Sequence, residues 1–250
     1  MNKNKWLFQP AFYVLMVLYF VLGYITLAFG DKWAASLYPE DNYFENVGAI
    51  SLFIASLISF YIFIRALQTR ATTKIHWLKL LIYLGLAGLY FFGAGEEISW
   101  GQRIFHIQEP AELAEENVQH ELNIHDLAIF ENNKLLKSDN IFTVFWLGFA
   151  VLIPFASLAW KPFKQFAEKL TPIVYWGIGV LFIINYLGAK LAKLIFASTY
   201  TFHEISFVQA VQEVKESNYE LMFIFLSLLV LWDLNSLISE KSALASAPKS

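Results

Sequence analysis

Six stretches of about twenty mostly apolar residues punctuate this chain, and that is the length a helix needs to cross a hydrocarbon layer about 30 Å thick. They run from Phe8 to Phe29, Val47 to Ile64, Leu78 to Gly95, Ile141 to Trp160, Ile173 to Leu194 and Leu221 to Ile238. In lipid every backbone N–H and C=O must be satisfied inside the protein, so runs of this kind become helices. The expected fold is therefore all-α: a polytopic membrane bundle of six transmembrane helices, with short interfacial helices on the outer side. Residues 1–238 form one transmembrane domain, and residues 239–250, small and polar, form a disordered tail.

Composition points the same way. Of the 250 residues 57% are apolar and 16% charged, against about 45–50% and about 25% in soluble domains. A net charge of −3 with no basic stripe excludes a nucleic-acid binder. With no cysteine, disulfides, a thiol nucleophile and Cys-ligated metals are all excluded. Lys3 and Lys5 make a basic start, but the apolar run behind them exceeds the about 7–15 residues of a signal-peptide core, so it reads as a retained helix. The tryptophans cluster at the ends of the expected spans, where indole rings favour the headgroup level.

Charge sets the orientation. With six spans both termini share one side, which holds eleven basic and three acidic residues; the other side holds seven basic and eighteen acidic ones. The positive side is expected to be cytoplasmic, in a plasma or bacterial inner membrane. The long segments 31–46, 96–140 and 195–220 then lie outside, with four of the five histidines. Within them, 110–116 reads as a short helix with proline at its first position, and 204–217 as an amphipathic helix leading into the last span.

Three polar clusters stand out on the outer side. The first continues the third span as Gly95-Glu-Glu-Ile-Ser-Trp-Gly-Gln-Arg-Ile-Phe-His106. On an unbroken helix Glu96, Ser99, Arg103 and His106 fall within an arc of about 80°, giving an acid, a hydroxyl, a guanidinium and an imidazole on one face. Those four are the candidate catalytic residues, with Glu96 as general base and Arg103 as the anion stabiliser. Gly93, Gly95 and Gly101 would admit a neighbouring backbone. The second cluster is Asn117 to Asp126, in which Glu121 and His125 share a face on a helix or a strand. The third combines His203 and Glu204 with Glu213, Glu216 and Glu220, the last three at helical spacing. Carboxylate plus imidazole suits zinc or iron. Glu97, Glu121, His125 and His203 are the candidate ligands of a divalent metal, zinc first. A solvated helix face accounts for the third cluster equally well. Asn185 is placed to hydrogen-bond between helices, and Pro154 to kink the fourth span.

The segment Gly95-Glu-Glu-Ile-Ser-Trp-Gly-Gln-Arg, followed by Asn117, Gln119, Glu121, Asn123 and His125, resembles a pattern in a family of uncharacterised bacterial polytopic membrane proteins, and the resemblance implies no activity. Glu96, Glu97 and Arg103 are also similar to the Glu-Glu-x-x-x-Arg element of the CAAX-type intramembrane proteases. Five residues intervene here rather than three, and that family's later histidine elements are absent.

The expected function is a membrane-embedded, metal-assisted hydrolase working at headgroup depth on a lipid or lipid-linked substrate. An ion- or proton-coupled transporter is the alternative, as is an accessory protein that docks a partner through its outer loops.

Overall fold

The computed structural model describes residues 3–39, 42–108, 110, 122–124, 127, 129, 133, 137–197, 202–203 and 205–246. These form helices and connecting turns, with no strand among them. In chain order the helices are α1 (Lys3–Thr26), α2 (Asp31–Leu37), α3 (Tyr43–Gln68), α4 (Arg70–Thr73), α5 (Trp77–Glu97), α6 (Gln102–Phe105), α7 (Ser138–Trp146), α8 (Ile153–Ala159), α9 (Lys161–Leu170), α10 (Trp176–Phe196) and α11 (Phe207–Ser246). A 3₁₀ turn, Ser99–Gly101, separates α5 from α6, and a π-helical turn, Leu147–Leu152, joins α7 to α8.

Five segments are long and apolar enough to cross a membrane: α3, α5, Asn140–Ala159, α10 and Phe207–Leu244 within α11. The described apolar part of α1, Pro10–Thr26, is shorter. The chain thus has the helical build of a membrane protein. The last span differs most from expectation. The amphipathic stretch after residue 204 and the last span are one uninterrupted helix, because no Gly or Pro lies between Phe207 and Ser246. That helix also runs past Ile238 to Ser246, through most of the segment expected to be disordered. The short helix expected over 110–116 lies outside the described residues. Trp33, Trp77, Trp100, Trp160 and Trp176 stand exposed near helix ends, whereas Trp146 is buried.

The chain forms two compact units, Met1–Gly48 with Leu181–Met222, and Ala49–Val180 with Phe223–Ser250. In the first, Leu27, Ala34, Tyr38, Phe44, Ala189, Phe207, Ala210, Val211 and Val214 make the core. Tyr38 stacks on Phe44 with ring centroids 5.5 Å apart and hydrogen-bonds Thr26 at 2.7 Å. Burial pushes its phenol up to about 12. A polar seam crosses this unit. Asn185 and Asn218 have no exposed surface; Asn218 Nδ2 donates to Asn185 Oδ1 at 2.8 Å, Asn185 Nδ2 to the Lys215 carbonyl at 2.8 Å, and the Tyr24 hydroxyl to Asn185 Oδ1 at 2.9 Å. The helix-to-helix bonding expected of Asn185 is therefore present.

In the second unit Ser56 donates to the Ala87 carbonyl at 2.8 Å and Ser59 meets Ser227 at 3.1 Å. At Pro154, where a kink is expected, the backbone shows a local change of helix type. Proline has no N–H to give the carbonyl four residues back, which is that of Ala150, and the helix loosens there into a π turn. Gly179 of α10 packs against that carbonyl so closely that a Cβ would overlap its oxygen.

Candidate functional site

The expected catalytic stripe does not form, because α5 stops at Glu97. Ser99 (φ 45°), Trp100 (φ 52°) and Gly101 (φ 76°) then take left-handed backbone, and His106 (φ 53°) does so again after α6. Left-handed backbone costs an L-residue roughly 1–2 kcal/mol, and no propensity in the segment announces it. The break takes α6 off the α5 register, so positions 96, 99, 103 and 106 do not share one unbroken helix. Glu96 and Ser99 are buried, and His106 is exposed. The Arg103 side chain lies outside what is described.

The turn is held by the acid before it. Glu96 Oε1 accepts from the Trp100 indole N–H and, at 3.2 Å, from the backbone N–H of Ile124. Gln102 Oε1 accepts from the Leu122 N–H at 2.7 Å, and Asn123 Nδ2 donates to Ser99 Oγ at 3.4 Å. Parts of the first two clusters, separate in sequence, are thus laced together. Glu96, the expected general base, is the carboxylate that fixes the turn. Glu97 beside it is half-buried. The Trp100 ring lies edge-on to Phe92 at 5.5 Å and covers Gly95, where a Cβ would stand 2.9 Å from it. The neighbours that Gly93 and Gly95 admit are the side chains of Leu52 and Trp100, not another backbone.

Of the four expected metal ligands, Glu121 and His125 lie outside the described residues. Glu97 belongs to the second unit and His203 to the first. Among the described residues no three His, Asp or Glu stand together as a metal cage. His203 is tied to Asp31, a residue the sequence did not single out. Asp31 Oδ1 accepts from the His203 backbone N–H at 2.8 Å, and Oδ2 meets Nδ1 at 2.6 Å. These bonds hold the Asp31 carboxyl below its ordinary range.

The third cluster is not a uniformly solvated face. Glu220 is only 6% exposed. Its carboxylate fills the space over Gly48 in the second turn of α3, where any Cβ would overlap it. Tyr19 is hydrogen-bonded to Ser217, one turn away on α11, at 3.1 Å. Gln212 bridges Lys193 (3.0 Å) and Glu216 (2.6 Å). Lys190 stands over the Tyr186 ring, 4.6 Å from its centre. A buried glutamate opposite a glycine was legible only as two separate residues 172 positions apart, with no local signal joining them.

No protein-family model matches the chain. Comparison with curated proteins and with solved structures likewise returns no match.

Proposed function

We propose that this is a six-span membrane protein, with α1 as its first span and both termini cytoplasmic, whose working site is the turn after α5. In this reading it is a metal-assisted hydrolase of a lipid or lipid-linked substrate at the outer leaflet of a plasma or bacterial inner membrane. The carrying observation is the run of left-handed residues at Ser99, Trp100 and Gly101 beside two adjacent carboxylates. Backbone strain persists only where the surroundings over-determine it, and it concentrates at functional sites. In this reading Glu96 positions the turn, Glu97, Glu121 and His125 would hold the metal, and Arg103 would stabilise an anionic substrate. A bound divalent ion would bring the pKa of its water towards neutrality. His203, bonded to Asp31, is given no role in this reading.

The test is the metal content of the full chain purified in detergent. The wild type is expected to carry a divalent metal that E97Q and H125A lose and E96Q keeps. Metal-free wild type, or unchanged occupancy in E97Q and H125A, overturns the reading.

One observation favours a second reading, a proton- or cation-coupled transporter: a carboxylate at 6% exposure, Glu220, seated over Gly48. Buried ionisable groups beside a membrane span often mark ion pathways. That reading expects ion flux into proteoliposomes that E220Q abolishes and E97Q leaves intact.

A further inference from the structure

Helix α9, Lys161–Leu170, is too short and too polar to cross a membrane. Its ten residues span about 15 Å. A single extended residue, Trp160 (φ −135°, ψ 102°), separates it from the end of α8, and Thr171 in extended backbone ends it. Viewed down its axis at about 100° per residue, Lys161, Lys164, Gln165, Glu168 and Lys169 gather on one side, and Pro162, Phe163, Phe166, Ala167 and Leu170 on the other. The apolar side is itself divided. Ala167 is buried against the protein, while Phe166 is 61% exposed. Trp160, 62% exposed, stacks with Phe163 at 6.3 Å. Exposed apolar residues continue back along α8 through Leu158 and Phe155, the surface a span turns to lipid.

All three lysines of the polar side are exposed. Its one acid, Glu168, is met by Lys164 at 3.6 Å, so the face keeps an excess of positive charge. The Glu168 carbonyl also accepts from Lys79 Nζ at 2.9 Å, which ties α9 to the start of α5. A helix with one basic face, exposed aromatic residues on the other and little overall hydrophobicity lies in the plane of the interface. Lysines in that position attract anionic lipids.

We propose that α9 is an in-plane interfacial helix that binds anionic phospholipid headgroups through Lys161, Lys164 and Lys169, with Trp160 and Phe166 among the adjoining acyl chains. It does not depend on the reaction proposed above.

The experiment uses the full chain in vesicles of phosphatidylcholine with and without phosphatidylglycerol. Native mass spectrometry of protein released from the mixed vesicles is expected to show phosphatidylglycerol retained over phosphatidylcholine. That preference should fall about fivefold for each lysine lost in K161Q/K164Q/K169Q, and should survive in K161R/K164R/K169R. No preference in the wild type, an undiminished preference in the glutamine variant, or its loss in the arginine variant overturns the proposal. Because the chain has no cysteine, F166C places a single spin label on the apolar side. Its relaxation should respond more to oxygen than to a water-soluble nickel complex; the reverse order overturns the in-plane placement.

Discussion

Replacing Gly95 by alanine tests whether the turn after α5 depends on the Trp100 ring lying against the helix. The new methyl would stand 2.9 Å from two ring atoms and 3.0 Å from a third. The indole is a rigid plate on a backbone at φ 52°, so it must tilt as a whole. Tilting pulls its N–H away from Glu96. A hydrogen bond to a charged group contributes about 1.5–3 kcal/mol, and alanine in a helix returns about 0.5–1 kcal/mol relative to glycine. The net expectation is a loss of roughly 1–2 kcal/mol, or roughly 2–8 °C in melting temperature for a chain of this size. Gly88, on the same helix with nothing within 4 Å of its would-be Cβ, is the matched control. G88A should melt at or slightly above the wild type. The assay is thermal unfolding in detergent, followed by circular dichroism. If G95A is as stable as G88A, the ring is not seated on Gly95 and the account of the turn fails.

Other substitutions separate further parts of the structure. G179A drives a methyl into the Ala150 carbonyl and should cost about 1–3 kcal/mol, while G148A, with open space at its Cβ, should not; equal melting temperatures would refute the close approach. E96Q keeps an acceptor for Trp100 and Ile124 but loses the charge, so it should lower stability by about 1–2 kcal/mol without removing metal, the opposite of E97Q. Asp31 has a lowered pKa through its bonds with His203. Its contribution is therefore present above the usual aspartate value of about 3.9 and fades as pH falls through the lowered one. The melting-temperature gap between wild type and D31N should be open at neutral pH and close in strong acid; a gap that widens on acidification would contradict the pairing.

The five apolar helices of spanning length were legible because bilayer thickness sets their length, and an apolar run announces itself whatever it packs against. Asn185 was legible for a related reason: a lone amide in mid-span has few ways to be satisfied except across helices. The site was legible only in inventory. Helical periodicity carried Glu96 onto one face with Ser99, Arg103 and His106, since Ser99 and Trp100 carry no sign that they will take left-handed backbone. Besides the local bond from Trp100 to Glu96, the bonds that stabilise this break come from residues 122–124, beyond the reach of any local pattern. Glu220 over Gly48 is hidden in the same way. The pattern of α9 was visible in Lys-Pro-Phe-Lys-Gln-Phe-Ala-Glu-Lys-Leu, but a reading organised around spans passes over a helix too short to be one.

The length of α11 has a mechanical consequence. Forty residues make a rod about 60 Å long, against about 40–45 Å for a bilayer with its headgroups. Even at a tilt of about 40°, the steep end of what membrane helices adopt, the rod fills the whole bilayer, and at any gentler tilt an end stands in water. Neither glycine nor proline interrupts it from Phe207 to Ser246. A soluble helical protein fused in register after Ser246 is expected to continue α11 as one helix, in place of a flexible joint.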